Sequence, residues 1–372
     1  FKKDGRLMTP ELRDKIVKFI TVAVTIYLFL LSIKLLGHSF KLFGKEFAET
    51  MLQTTSNPFT GLIIGIVATS LIQSSSTTTS IVVGLVAGNV VSLGNAIPII
   101  MGANIGTTVT NTLVSLGHIT QRTEFKRAFA AGVVHDFFNI CAVIVFFPLE
   151  LKFHIVERSA LFLEKHFEGV GGMKMFNPLK MILDPAINII EHVLTFLPYY
   201  EIMMMILSIV GMFAALGFLI KTIRSLVLNK IEIIINKYLF KNDAMGLFWG
   251  MVMTFIVQSS SVTTSLIVPL AGAGVVRLRS IFPYTLGANI GTTGTALLAA
   301  LATMNPIAVT AAFAHLVFNI FGILVFYPLK VIPLTLAEKV SEYVSISKKN
   351  LVIFLVGYSS IYILPIAFII LN

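Results

Sequence analysis

The chain has 372 residues, of which 56% are hydrophobic and only 12% charged, and its mean hydropathy is +0.89. Soluble domains carry about 25% charged residues, so the composition excludes an ordinary soluble protein and fits an all-α polytopic membrane protein. The formal net charge of +10 invites a nucleic-acid reading, which the placement of the basic residues excludes. They gather near the start (Lys2, Lys3, Arg6, Arg13, Lys15, Lys18) and in short segments between apolar windows (Arg122, Lys126, Arg127; Lys221, Arg224, Lys230; Arg277, Arg279). That pattern orients helices in a bilayer. A β-barrel would show alternating segments of about ten residues, and none is present. The single cysteine, Cys141, allows no intramolecular disulfide, and no N-x-Ser/Thr sequon occurs.

The opening residues, FKKDGRLMTPELRDK, are charged and lack the apolar core of a signal peptide. Thr9-Pro10-Glu11 predicts an N-cap and first helical turn. An apolar helix follows over about 16–36, then a lysine-containing amphipathic segment, 38–52, suited to the membrane interface. From Thr50 to Gln121 there is no Asp, Glu, Lys or Arg. Within that stretch, the short segment 61–72 is too short to span and predicts one arm of a re-entrant hairpin. Eight polar residues, QSSSTTTS (73–80), come next, and 81–87 forms the second arm. After a turn, IIMGANIGTT (99–108) predicts a helix broken at Gly102, with a new one starting near Asn104. A full span covers about 125–149.

The pattern then recurs. QSSSVTTS (258–265) repeats QSSSTTTS, and GANIGTT at 287–293 repeats 102–108 unchanged, each 185 residues on. HDFFNICAVIVFFPLE (135–150) matches HLVFNIFGILVFYPLK (315–330), 180 residues on. Matched blocks in one order mean an internal duplication. The expected organisation is repeat 1 over 1–150, a charged loop and amphipathic stretch over 151–200, repeat 2 over 201–330, and a linker with a last transmembrane helix over 331–372. In repeat 2 the first helix covers about 202–224, the interfacial segment 226–241 and the final span 306–329. Two inverted-topology repeats, each with a re-entrant helical hairpin and a broken transmembrane helix, are a known transporter architecture.

So many hydroxyls in an uncharged region need a reason, because an unpaired polar group in hydrocarbon costs several kcal/mol. Each QSSS copy falls where a new helix starts. First-turn N–H groups lack internal partners and carry the positive end of the helix dipole, a generic anion site. Gln73, Ser74, Ser75 and Ser76, with Gln258, Ser259, Ser260 and Ser261, are therefore the candidate anion ligands. The alternative is that the hydroxyls back-bond to their own helices. GANIGTT has no following Gly-Lys-Ser/Thr, so it is not a phosphate-binding loop, though it could serve close helix packing. As a helix break, it would offer carbonyls beside Asn104, Thr107, Thr108, Asn289, Thr292 and Thr293, neutral oxygen ligands suited to Na+. The cation set extends to Thr77, Thr79 and Thr264. Asp136 is the one charged residue between Arg127 and Glu150, and its counterpart in repeat 2 is Leu316. An intramembrane carboxylate is a functional candidate by default; the alternative is a structural pair with His135 or a nearby Arg. His118, His135 and His315 fit packing or hydrogen-bonding roles. No His/Cys/Asp/Glu cluster has metal-ligand spacing.

At the paired QSSS motifs, the paired GANIGTT blocks and RTEFKRAFAAGVVHDFFN, the sequence resembles the type II sodium-dependent phosphate cotransporter family. The resemblance is closest over about 50–150 and 240–330. It implies Na+-coupled symport of inorganic phosphate by alternating access across the cell (inner) membrane. It implies phosphate or Na+ at Gln73–Ser76 and Gln258–Ser261, and Na+ at Thr292, Thr293 and Thr295. Asp136 and Asn139 match the family position that accompanies electrogenic transport of divalent phosphate. Vertebrate members carry a large, glycosylated, disulfide-bearing loop between repeats; here that region is short, which resembles a bacterial member. No enzymatic cofactor is implied, and Na+ is the only metal. Three other readings stand beside this one: a carrier of another oxyanion, a passive anion channel, and an intramembrane hydrolase using a QSSS serine with His135.

Overall fold

The computed structural model describes residues 10–43, 56–107, 109–169, 172, 177–234 and 242–371, all helices and short connections, with no strand among them. Thr9, Thr108 and much of the two expected interfacial segments (44–55 and 235–241) lie outside the described residues.

Repeat 1 begins with α1 (Pro10–Leu42). Two short helices, α2 (Pro58–Ile72) and α3 (Ser75–Ala87), are joined at QSSS. Next come α4 (Leu93–Gly106), α5 (Val109–Leu116) and the long α6 (Arg122–Phe153). Two further helices, α7 (Ile155–Gly169) and α8 (Asn177–Leu194), follow. Repeat 2 begins with α9 (Tyr200–Ile234). Its short arms are α10 (Asp243–Val257), α11 (Ser260–Ser265) and α12 (Val268–Gly272). Then come α13 (Leu278–Thr303) and α14 (Pro306–Phe326), and the chain ends in α15 (Val331–Ile346) and α16 (Lys348–Leu371).

Among the described residues, four helical stretches are long and apolar enough to cross a membrane: Ile16–Leu42, Leu93–Leu116, Arg122–Phe153 and Pro306–Phe326. Large apolar side chains such as Phe19, Leu71, Ile144, Leu324 and Val356 stay exposed, as expected of a surface solvated by lipid.

The duplication extends to local chemistry. Asn57 caps α2, accepting from the Phe59 N–H at 2.9 Å, and Asn242 caps α10 at the equivalent position, accepting from Met245 N–H at 2.8 Å. The α2–α4 contact recurs as α10–α13, and the first helices α1 and α9 pack together. The arms also cross over: α3 lies on α13 of the other repeat, while α11 lies on α5. Aromatic rings close the repeat interface, with Phe138 edge-on to Phe282 and Phe326 at 6.1 and 6.4 Å.

Three expectations need correction. The helix expected to break at Gly102 runs on to Gly106, and repeat 2 shows no break, because α13 is continuous through Gly287–Thr293. The glycines serve contact instead. A Cβ on Gly102 would lie 2.0 Å from the Leu62 carbonyl oxygen, and one on Gly287 1.9 Å from that of Leu247. They let helix backbones touch, as small-xxx-small stripes do in membranes. The region 151–200 is two amphipathic helices rather than a charged loop with one stretch. Glu150 starts the first of them, its carboxylate accepting from the Val156 and Glu157 N–H groups at 2.6 and 3.2 Å. An ion pair of Lys34 with Asp184 and a hydrogen bond between His38 Nε2 and Glu191 Oε2 at 3.1 Å hold the second against α1. Finally, the expected linker after 330 is largely α15, which buries Pro333, Leu334, Ala337, Ser341 and Val344.

Asp243 ties α10 to the end of α14, accepting from Lys330 Nζ at 2.7 Å and from Tyr327 Oη at 3.0 Å. The Lys330 bond, helped by Tyr327, holds its carboxyl below the usual value of 3.8, against a smaller opposing effect of burial. A carboxyl depressed by folding stabilises above its unfolded value and loses that contribution as pH falls through the folded one. Asp243→Asn should therefore destabilise the fold slightly at pH 7, by under about 1 kcal/mol for so exposed a pair, and lower its melting temperature accordingly. The difference should vanish in acid below the carboxylate range, which parallel melts at both pH values would check.

Candidate functional site

Each QSSS copy closes one arm and opens the next. Gln73 ends α2 in the left-handed region at φ 59°, its N–H donating to the Thr69 carbonyl. Ser74 then turns extended and caps α3, its Oγ accepting from the Thr77 N–H at 3.2 Å. Gln258 (φ 58°) and Ser259 repeat this, with Ser259 Oγ accepting from the Val262 N–H at 3.3 Å. Positive φ is uncommon outside glycine, and both glutamines are pinned there by side-chain bonds. Gln73 donates to the Ser70 carbonyl and accepts from Thr110 Oγ1 at 2.7 Å. Gln258 donates to the Phe255 carbonyl and accepts from Thr295 Oγ1 at 2.6 Å.

This geometry leaves donors over. The N–H groups of Ser75, Ser76, Ser260 and Ser261 open their helices without an acceptor among the described residues. The hydroxyls of Ser75, Ser76 and Ser260 are likewise unbonded among them, although these residues are only 2–3% exposed. Other hydroxyls of the motif do back-bond. Thr79 Oγ1 donates to the Ser75 carbonyl at 2.8 Å, Thr263 Oγ1 to that of Ser259 at 2.6 Å, and Thr77 Oγ1 to Ser74 Oγ at 2.9 Å. The two copies differ in helix length: α3 has 13 residues, whereas α11 has 6 and gives way to α12. The helix dipole is therefore better developed behind the first copy.

The connection between α4 and α5 brings the two tips together. Thr110 holds Gln73; Ser261 Oγ donates to the Thr107 carbonyl at 3.0 Å; and Asn111 Nδ2 donates to Thr264 Oγ1 at 2.8 Å. Repeat 2 shows no such opened joint. There Thr292 and Thr293 donate back to the Ala288 and Ile290 carbonyls at 3.0 and 2.7 Å, as Thr107 does to Ala103 at 2.9 Å. The backbone carbonyls expected as cation ligands at 287–293 are thus engaged in an intact helix. The threonine oxygens keep lone pairs to offer.

Between the repeats lies a twofold hydrogen-bond network. Asn104 Nδ2 donates to Asn319 Oδ1 and Asn289 Nδ2 to Asn139 Oδ1, both at 2.7 Å. Asn139 Nδ2 donates to the Asn104 carbonyl at 2.8 Å and Asn319 Nδ2 to the Asn289 carbonyl at 3.3 Å. His135 Nε2 donates to Asn289 Oδ1, and His315 Nε2 to Asn104 Oδ1 at 3.0 Å. All six residues are buried. Asn104, Asn139 and Asn289, expected as cation ligands, thus spend their amides on each other, and His135 and His315 have the hydrogen-bonding role expected of them. His118 pairs with Glu124 at 3.3 Å.

Asp136 departs from the symmetry. It is 2% exposed and forms no ion pair among the described residues, with neither His135 nor an Arg. Tyr358 Oη of α16 donates to Oδ2 at 3.3 Å, and Oδ1 has no partner among the described residues.

A family described as Na+/Pi-cotransporter matches residues 28–171 and 208–332, so its two matched blocks carry the two QSSS tips and both halves of the asparagine network. The chain belongs to the Na+/Pi-cotransporter family. Among relatives, it is 32% identical to rat sodium-dependent phosphate transport protein 2A over 86% of this chain and 62% of that one. It is 33% identical to the sheep 2A protein over 82% and 60%, and 30% identical to the human 2B protein over 82% and 58%. The chain thus spans about three fifths of the length of these relatives. No solved structure matches it.

Sequence reasoning missed Thr110, Asn111 and Tyr358. Thr110 was findable, because it stands 185 residues before Thr295 and holds Gln73 as Thr295 holds Gln258. Asn111 and Tyr358 have no counterpart to point at them.

Proposed function

We propose that this chain carries the transport core of a Na+-coupled symporter of inorganic phosphate, working by alternating access in the cell (inner) membrane. The observation that supports it best is the pair of QSSS tips, each offering N–H groups and hydroxyls without partners among the described residues, joined through the α4–α5 connection. Helix-start donors of this kind suit a tetrahedral oxyanion.

Charge balance supplies the coupling. No Lys or Arg occurs in 50–121 or 280–329, and a helix N-terminus offers about half a unit charge. A phosphate dianion seated between the tips is then incompletely neutralised, and co-bound Na+ makes up the difference. Threonine and glutamine oxygens at Thr77, Thr107, Gln258 and Thr295 are suitable neutral ligands, and Asp136 is the one anionic ligand. Electrogenic transport of divalent phosphate follows from this assignment. Asp136→Gly is expected to retain measurable phosphate uptake while the charge moved per phosphate falls by about one unit. Paired current and tracer recordings would check this, and an unchanged ratio would refute it.

Topology follows from counting. In each repeat the first helix crosses, the short arms form a hairpin that returns to its own side, and two further crossings follow. An odd number of crossings inverts the second repeat. Arg13, Lys18, Arg122, Lys126, Arg127, Arg277, Arg279, Lys348 and Lys349 then share one face, which the positive-inside rule places in the cytoplasm. A site at the repeat interface can open to either side as one repeat rocks on the other.

The hydrolase alternative draws no support from the site, since no QSSS serine hydrogen-bonds to a histidine among the described residues. Radiolabelled phosphate uptake into proteoliposomes, under an inward Na+ or K+ gradient, tests the proposal. Na+-specific uptake is expected. Equal flux in both salts would identify a channel, and sulfate or arsenate outcompeting phosphate would identify a different oxyanion carrier.

A further inference from the structure

Two features of this molecule break its internal twofold symmetry, and they meet at one hydrogen bond. The first is Asp136, which stands where the second repeat has Leu316. The second is α16, a helix outside the duplication, whose Tyr358 donates to Asp136 Oδ2 at 3.3 Å. The tyrosine is held in place by rings. It stacks on Phe354 at 5.5 Å, and Phe354 packs edge-on against Phe129 of α6 at 5.4 Å. Asp136 and Phe129, the ring against which Phe354 rests, are thus carried by the same helix. The bond occupies one carboxylate oxygen and leaves Oδ1 buried without a partner among the described residues.

We propose that Tyr358 is a positioning residue for cation binding at Asp136: its hydroxyl fixes the carboxylate so that the free Oδ1 faces the ion. This rests on the reading of Asp136 as a cation ligand. The physical reason is preorganisation. A carboxylate with no fixed partner must be ordered when the ion arrives, and that cost appears as weaker binding. Outer partners of tight metal sites are worth about 10–100-fold in affinity, and a weakly held monovalent ion should show less, about three- to tenfold.

The test compares Tyr358→Phe, which keeps the ring stack and removes the hydroxyl, with wild type, Asp136→Gly and the double variant in proteoliposomes. The half-saturating Na+ concentration for phosphate uptake should rise about three- to tenfold in Tyr358→Phe, with the maximal rate at saturating Na+ unchanged. A purely structural role would lower the maximal rate and leave the half-saturating concentration alone. In the Asp136→Gly background, the tyrosine substitution should shift Na+ dependence no further. Should the variant reconstitute poorly, the rise in melting temperature with added Na+ gives the same answer in detergent, and the midpoint of that rise should move to higher Na+. Wild-type Na+ dependence in Tyr358→Phe, beside an altered Asp136→Gly, would overturn this inference alone. Wild-type Na+ dependence and charge per phosphate in Asp136→Gly would overturn the reading of Asp136 and this inference with it.

Discussion

Replacing Gly287 with alanine is expected to cost the protein its fold. The added Cβ would lie 1.9 Å from the Leu247 carbonyl oxygen, 2.8 Å from its carbon and 2.9 Å from the Met251 nitrogen. All three are backbone atoms in the middle of α10, so no side chain can swing aside. The two helices would have to move apart by more than an ångström along their whole contact. Ordinary overpacking costs about 1–3 kcal/mol, and a backbone clash of this depth should lie at or above the top of that range. Gly102 stands in the same relation to Leu62, at 2.0 Å, and its substitution should do equal harm. Gly217, with nothing within 4 Å, is the control. Alanine there should be neutral or stabilising by up to about 1 kcal/mol, since it is the better helix former. Yield of monodisperse protein and melting temperature in detergent would separate the three variants. Wild-type behaviour in Gly287→Ala would show that α10 and α13 are not packed this closely.

Substituting Asn289 by leucine should have the next largest effect. The change strands His135 Nε2 and Asn139 Oδ1, on residues that are both 0% exposed. Interhelical hydrogen bonds in membranes average only about 0.6 kcal/mol and reach about 1.7. Leaving a buried polar group unsatisfied costs about 1–3 kcal/mol. Two such groups stranded together point to a loss of about 2–4 kcal/mol. Asn104→Leu strands His315 Nε2 and Asn319 Oδ1 in the mirrored place. The two variants should therefore match within about 1 kcal/mol, and their combination should fall short of additivity because they share one network. Urea or thermal unfolding of the single and double variants measures this directly. A large loss from one and none from the other would show that the two halves of the network are not equivalent.

The parts of this molecule that were legible in its sequence are those with a twin. QSSS appeared twice in an uncharged region, and unpaired hydroxyls there had to serve either a helix start or a ligand. The structure puts a helix start at both Ser74 and Ser259. Asn139 and Asn319 could be matched before either was seen to bond. What resisted reading had two physical causes. Glycines break helices and also let helices touch, and a run such as GANIGTT carries both signals. The four-residue spacing of Gly102 with Gly106, and of Gly287 with Gly291, favoured contact and was the better guide. Elements outside the duplication had no second copy to check against. The helices between residues 151 and 200 were therefore read partly as loop, and Tyr358, on a helix that looked like a plain span, gave no sign that it reaches Asp136.

The central claim is that phosphate crosses only when its charge is balanced by Na+, so the Na+ gradient itself should set the direction of net flux. The most direct measurement loads proteoliposomes with the same phosphate concentration inside and out and clamps the membrane potential at zero. An inward Na+ gradient should then accumulate phosphate above its starting level, and an outward gradient should deplete it to a matching degree. If phosphate stays at its starting level under either gradient, in protein shown to be folded and inserted, Na+ and phosphate movement are not coupled and this account is wrong.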